Sequence, residues 1–278
     1  MARSKDLAIL AALVLTPTSG FAGPWTKSLG EAYVKVAGSI FSSDTYVDPT
    51  GFVQAGVDHT SLTASLYAEV GLADHFALNL YLPHVTGRNR YTNGDRYASL
   101  GTGDASLGLA WSSPWLAFPH AVRGAIKLPL YDLGSVAGFE AKRFPARGDG
   151  QVDLTLAISA GDSFRALGID GYGYLEAGHV ARTEWFFGAD LGRTLLDGFT
   201  ASGQLGVSPL DRLTVAISAQ GIAPYSSDQL TKAYLAVGGA AFVRIIDALS
   251  VEAAFDAIVL ARNSSLGTSL SLGFSTSI

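Results

Sequence analysis

The chain has 278 residues, of which 15% are charged and 48% hydrophobic, with a mean hydropathy of +0.28. Soluble domains carry roughly 25% charged residues, so an ordinary aqueous surface is hard to build from this composition. The formal net charge of −5 without basic runs argues against nucleic acid as a partner, and the absence of cysteine excludes a disulfide framework or a thiolate metal site.

Residues 1–22 read as a secretory signal peptide. Arg3 and Lys5 make a basic start, residues 7–15 form an uncharged apolar run, and Ala22 supplies a small residue at the cleavage point. That run is too short for a spanning helix, which takes about 20 residues. Cleavage removes Arg3, Lys5 and Asp6, so the charge of residues 23–278 becomes −6 from −5. No later stretch is apolar for long enough to span as a helix; the best, residues 233–243, carries Gly238 and Gly239.

What recurs instead is alternation with a period of two, the mark of a strand with one apolar and one polar face. Residues 30–41 set Ala32, Val34, Val36 and Ile40 against Glu31, Tyr33, Lys35 and Ser39. A long polar link, residues 42–59, follows with Asp44, Asp48, Pro49 and Gly51. Residues 61–82 give the clearest hairpin. Leu62, Ala64, Leu66, Ala68 and Val70 alternate with Ser61, Thr63, Ser65, Tyr67 and Glu69; the chain turns through Gly71 to His75; then Phe76, Leu78, Leu80 and Leu82 alternate with Ala77, Asn79 and Tyr81. Each arm has about ten residues, the length that crosses a bilayer when tilted. A second long link, residues 85–103, holds Arg88, Arg90, Asp95 and Arg96. Long links alternating with short turns give the rhythm of outer-membrane barrels, whose short turns are periplasmic.

Residues 104–112 place Ala105, Leu107, Leu109 and Trp111 outward, turn at Ser113 and Pro114, and return through Val122, Gly124, Ile126, Leu128 and Leu130. Asp104, Ser106, Arg123 and Lys127 then face inward. A third link, residues 131–150, carries Glu140, Lys142, Arg143 and Arg147. Residues 151–160 alternate Val152, Leu154, Leu156 and Ile158 with Asp153, Thr155 and Ser159, turn near Asp162, and rise through Ile169 and Leu175 with Asp170, Tyr172, Tyr174 and Glu176 opposite. Trp111, Trp115 and Trp185 suit interfacial aromatic girdles.

Between His179 and Gln220 the pattern offers three strands: residues 185–193, 199–207 and 213–220. Accepting all three gives an odd count, which single-chain bacterial barrels avoid, so either 185–193 or 213–220 belongs to an external loop. Residues 234–243 and 249–257 flank a turn at Ile246 and Asp247, with Glu252 and Asp256 inward. A link at Arg262 and Asn263 leads to a closing strand with Leu270, Leu272 and Phe274 against Ser269, Ser271 and Ser275. A membrane protein without spanning helices must close its sheet, because lipid offers no partner to an open edge. The expected fold is all-β: an antiparallel transmembrane β-barrel of about 12 strands in the bacterial outer membrane, with long outer loops, short periplasmic turns and both termini periplasmic.

The order of several short motifs resembles a family. Glu69, Val70, Gly71, Leu72 and Asp74 precede a strand ending in Leu82 and Pro83; Gly101, Gly103, Asp104, Leu107 and Gly108 follow, then Lys127, Leu128 and Pro129, then Gly148, Gly150 and Asp153. Together they resemble the outer-membrane proteins associated with phenol meta-cleavage degradation. That resemblance implies a transporter of hydrophobic or aromatic compounds. Residues 271–278 also look like the C-terminal signal read by the barrel assembly machinery, with Gly273 in place but Thr276 and Ile278 where an aromatic terminus is usual.

The inward set is Glu31, Lys35, Tyr67, Glu69, Tyr81, Asp104, Arg123, Lys127, Asp153, Asp170, Tyr172, Glu176, Glu252 and Asp256, with Tyr33 and Tyr174 on the same face. It reads either as a charge array lining an aqueous pore or as acids and bases that pair and fill the interior, since about 8 strands make a filled barrel and about 16 an open one. The expected function is a transporter or narrow pore for small, hydrophobic or aromatic molecules; the alternative is a plugged structural or adhesive barrel acting through its outer loops. A third candidate, a rim lipid hydrolase, draws on His84, Asn93 and Ser99, whose spacing matches no hydrolase signature. The five histidines, His59, His75, His84, His120 and His179, are scattered, which disfavours a metal site, and no cofactor is implied. The expected partners are outer-membrane lipid and lipopolysaccharide, the assembly machinery and a small permeant. Arg88, Arg90, Asp95 and the acidic loop residues read first as solvated loop charges, with Ca²⁺ binding at Asp95 or bridging of lipopolysaccharide with Arg88 and Arg90 as the sharper alternatives.

Overall fold

A computed structural model of the chain describes residues 23–131, 144–186, 195–226, 228 and 231–278. The described residues form β1 (Ala32–Val47), β2 (Val53–Ala73), β3 (Phe76–Tyr91), β4 (Arg96–Thr102), β5 (Asp104–Trp111), β6 (His120–Pro129), β7 (Gln151–Ala166), β8 (Ile169–Phe186), β9 (Gly198–Leu210), β10 (Leu213–Pro224), β11 (Ala233–Ile246), β12 (Leu249–Arg262) and β13 (Ser264–Ser277). Each pairs antiparallel with its neighbours. β4 and β5 both pair with β3 and meet at Gly103, whose N–H donates to the Pro83 carbonyl. They are two halves of one stave, so the barrel has 12. β1 closes the sheet on β13, from Tyr33 opposite Ser277 to Val47 opposite Ser264.

The alternation sorts side chains inside out. On β2, Ser61, Thr63, Tyr67 and Glu69 are buried while Leu62, Ala64 and Val70 are exposed; on β7, Asp153, Ala157 and Ser159 are buried and Leu154, Leu156 and Ile158 are exposed. Apolar residues on the rim of the closing seam, Val36 opposite Phe274 and Ile40 opposite Leu270, continue the same outward band. A surface of this kind is stable only in lipid.

Several expected boundaries move. The link expected at 42–59 shrinks to residues 48–52, and the one expected at 85–103 is the hairpin of β3 and β4 turning at residues 92–95. Above the membrane the outward face is polar too, so the alternation of polarity stops while the hydrogen-bond ladder and the burial of inward residues such as His59 and Asn89 continue. The turn expected near Asp162 lies at Leu167 and Gly168, whose φ angles of 54° and 82° suit the two central positions of a type I′ hairpin. The turn expected at Ser113 and Pro114 widens to residues 112–119. Of the two competing strands, 213–220 is the membrane stave, within β10. Trp185 and Phe186 end β8, and residues 187–194 lie outside the described residues.

Ala32 and Ile278 exchange backbone hydrogen bonds of 2.8 and 2.9 Å, so both ends of the barrel chain meet on the side of the turns at 74–75, 167–168, 211–212 and 247–248. Trp111 and Trp115 stand edge to face on that side, 5.8 Å apart, with Phe76 next to Trp111; the Trp185 side chain lies outside the described ones.

Ile158 faces lipid midway along β7 and Ser159 faces the interior. Ile158→Arg is expected to destabilise the refolded barrel by about 2–4 kcal/mol, read as a shift of the urea midpoint in phosphatidylcholine vesicles, while Ser159→Ala leaves the midpoint within about 1 kcal/mol. Equal sensitivity at the two positions contradicts the assigned faces.

Candidate functional site: the lumen

The interior is crossed by ion pairs that reach over intervening staves. Lys35 on β1 meets Glu252 on β12 at 2.5 Å, passing over Gly273 of β13, where a Cβ would lie 3.2 Å from the lysine Cε. Arg123 on β6 meets Glu176 on β8 at 2.9 Å, across the stretch of β7 that presents only Ala157 and Ser159 inward. Small inward residues therefore sit where a long cation must cross. Tyr67 takes a hydrogen bond from the Asn79 amide and packs edge-on to Tyr33 at 6.0 Å; its hydroxyl approaches the buried Glu69 carboxylate at 3.4 Å.

Toward the outer end, Lys127, Asp153 and Arg182 are direct ladder neighbours on β6, β7 and β8. Lys127 lies 2.6 Å and Arg182 2.5 Å from the Asp153 carboxylate. Residues 144–150 fold in over this row. Asp149 bonds Lys127 and reaches Arg182 at 2.9 Å, its N–H donates to Asp104, and the Asp104 carboxylate accepts the Tyr131 hydroxyl at 2.7 Å. Arg147 stacks on the Tyr131 ring and donates to the Leu100 carbonyl, while Pro145 is fully buried against Gly87, where a Cβ would come within 2.7 Å of the proline. Burial alone would raise the Asp149 carboxyl, but the Lys127 and Arg182 cations outweigh it and hold the group well below the usual carboxylate range. Burial lowers Lys232, beside the same cluster, against the pull of Asp149 and Asp104.

The periplasmic mouth is crossed by residues 23–28. Pro24 is fully buried and would touch a Cβ at the inward-facing Gly161 of β7. Trp25 stands edge to face on Tyr172 and Tyr174 of β8 at 6.1 and 6.4 Å. Lys27 lies over the Tyr33 ring of β1, and the Ser28 carbonyl occupies the space that a Cβ at Gly71 of β2 would fill. Contacts with β1, β2, β7 and β8, on opposite walls of a 12-stave barrel, mean that the segment crosses the mouth.

Of the residues expected inside, Lys35, Tyr67, Glu69, Arg123, Asp153 and Glu252 are buried in the lumen, and Tyr81, Asp104, Lys127, Tyr172, Glu176 and Asp256 are half-buried there. Two are not lumen residues. Glu31 is exposed at the periplasmic rim, where it accepts the Ser28 N–H, and Asp170, with its side chain 69% exposed, pairs with Arg165 beside the β7–β8 turn. Both have inward parity but stand at a barrel mouth, where parity no longer fixes burial. The structure adds Arg182, Asp149, Tyr131 and Trp25. Arg182 was reachable by extending the Tyr174, Glu176 alternation three steps further; Asp149 and Trp25 lie outside any strand and give no periodic signal. The hydrolase residues are not brought together: His84 faces outward, Ser99 opposite Gly87 faces inward, and Asn93 binds Asp95 at the hairpin tip.

No protein-family model and no curated protein sequence matches this chain. Solved structures do. The COG4313 outer membrane channel from Pseudomonas putida F1 superposes with a TM-score of 0.67 at 11% identity, over 91% of this chain and 97% of that one. The KdgM porin (TM-score 0.48, 8% identity, 87% and 98% covered) and the CymD monoaromatic hydrocarbon channel (0.46, 10%, 96% and 94%) are among the further matches. The first of these establishes the fold as that of a bacterial outer-membrane barrel.

The Asp149 carboxyl titrates below its ordinary value of about 4. Its contribution to stability is therefore complete from about pH 5 to 8 and is lost as pH falls below about 4. Asp149→Asn is expected to lower stability at neutral pH by on the order of 2 kcal/mol and to flatten the acid limb of the melting profile, followed by loss of heat-resistant gel mobility. An acid limb parallel to the parent's contradicts the role given to this carboxylate.

Proposed function

We propose that this barrel is a gated channel for small neutral molecules of aromatic or otherwise hydrophobic character. The observation that carries this reading is Trp25, an indole seated in the lumen against Tyr172 and Tyr174. Tyr33, Tyr67 and Tyr81 lie on the same interior, so the route through the narrow part of the barrel passes aromatic faces and edges, which favour a flat ring by offset or edge-on contact. The interior charges support it from the other side. Lys35 is matched by Glu252, Arg123 by Glu176, and Lys127 and Arg182 by the carboxylates of Asp104, Asp149 and Asp153. A filter for ions presents rings of one sign; here each of these four cations is matched by an acid instead. The sequence resemblance to transporters associated with phenol degradation agrees with this class of permeant.

In such a channel the segment 23–28, which crosses the periplasmic mouth, is the movable part. Trp25→Ala is expected to turn a barrel of low conductance into one with discrete, larger steps in planar bilayers. Millimolar phenol is expected to block that current reversibly, while a neutral sugar of similar size does not. A folded Trp25→Ala barrel without current favours the plugged structural barrel instead, and equal indifference to phenol and sugar removes the aromatic permeant.

A further inference from the structure

The outward face of β3 changes character along its length. From the membrane upward the exposed or half-exposed positions are Leu78, Leu80, Leu82, His84, Thr86, Arg88 and Arg90. The apolar band ends at the row where Thr86 lies opposite Leu100 of β4, which is 66% exposed. One row further up, Arg88 stands between Thr60 of β2 and Ala98 of β4; the next row reads Asp58, Arg90, Arg96 across β2, β3 and β4. At about 3.4 Å per residue and a tilt of about 40°, these two rows lie roughly 5 and 10 Å above the end of the apolar band. That is where the sugar and phosphate layer of an outer leaflet begins.

All three arginines are exposed, and among the described residues none has a carboxylate within ion-pair distance. Asp58 is the only acid in the two rows, and Asp95 at the hairpin tip is engaged by Asn93. Arg90 and Arg96 are direct ladder partners, an arrangement of like charges that destabilises a bare sheet and becomes favourable when an anion lies between them. A guanidinium fork matches a phosphate bidentately. The patch carries two net positive charges in a chain of formal charge −5, and it sits directly above a surface that must be in lipid.

We propose that Arg88, Arg90 and Arg96 form a clamp for a phosphate of the outer-leaflet glycolipid, the phosphorylated glucosamine headgroup whose acyl chains cover the apolar band below. The clamp fixes a lipid against the β2, β3, β4 wall and tethers the outer hairpin to the leaflet. It does not depend on what passes through the lumen.

The test uses folded residues 23–278 in a neutral detergent, with the thermal midpoint for loss of the compact gel form as readout, titrated with bisphosphorylated lipid A, with its dephosphorylated counterpart and with inorganic phosphate. Bisphosphorylated lipid A is expected to raise the midpoint, and the combined Arg88→Ala, Arg90→Ala, Arg96→Ala barrel to need at least about tenfold more of it for the same rise. Arg165→Ala, which removes an exposed arginine at the periplasmic end, keeps the parent response. An equal rise with dephosphorylated lipid assigns the effect to acyl chains, an equal rise with inorganic phosphate assigns it to a free anion, and an unchanged titration in the triple variant assigns it elsewhere on the barrel; each overturns the clamp.

Discussion

The structure depends on one constraint: in lipid, every backbone N–H and C=O of the sheet must find a partner within the chain. The only arrangement of strands that meets it is closure, and closure here is the seam between β1 and β13, completed by the reciprocal hydrogen bonds of Ala32 and Ile278. Once the sheet is closed, each strand has a lipid face and an interior face. The apolar half of every alternating strand is committed to lipid by the transfer free energy of its side chains, about 25 cal/mol per Å², and the polar half is left inside.

The polar interior then sets its own problem, because a charge in a narrow lumen is only partly hydrated and is costly unless paired. The barrel solves it with long cations that reach acids on strands beyond their neighbours, over positions kept small at Gly273, Ala157 and Ser159. These crossings brace the wall as well as neutralise it: Lys35 to Glu252 spans the closing seam, and Arg123 to Glu176 spans the opposite wall. Loss of one member leaves a buried charge alone, which is why such pairs matter more for keeping a barrel in shape than their small net contribution to stability indicates.

The strands that cross the membrane were legible in the sequence because the constraint writes itself there: polarity alternates only while one face touches lipid and the other does not. The hairpin of β2 and β3, the pair β5 and β6, and the closing strand all follow from that pattern. Where the constraint lapses, so does the signal. The upper parts of β1, β2, β3 and β4 carry polar residues on their outward face as well, although inward residues such as His59 and Asn89 stay buried, so their ladders were hidden within what looked like polar links. Glu31 and Asp170 keep the inward parity yet stand at the mouth. Trp25, Tyr131 and Asp149 act from segments that no periodicity governs, and their roles come from where the closed wall happens to bring them. The alternation could show that the interior holds both acids and bases, but which acid meets which base depends on stagger between strands, which a single sequence does not state.

Segments outside the strands are held over the two ends of the lumen by different physics, and that difference bears on how the proposed channel opens. At the outer end, residues 144–150 are held by a row of charges in which Asp149 bridges Lys127 and Arg182; such a contact is directional, sensitive to protonation, and strengthened by the exclusion of water. At the periplasmic end, residues 23–28 rest chiefly on the edge-on aromatic contacts of Trp25 and the burial of Pro24, with Lys27 over the Tyr33 ring and the Ser28 N–H on Glu31; the Trp25 contacts are ones that a free aromatic solute reproduces. In the channel proposed above, an aromatic solute at Tyr172 and Tyr174 would compete with Trp25 for the same surfaces, so the occupant itself would supply the differential affinity that an open state requires. The outer latch offers no such competition to a neutral molecule. In the proposed channel, opening from the periplasmic side is therefore coupled to the permeant, whereas opening from the outer side requires the charge row to part.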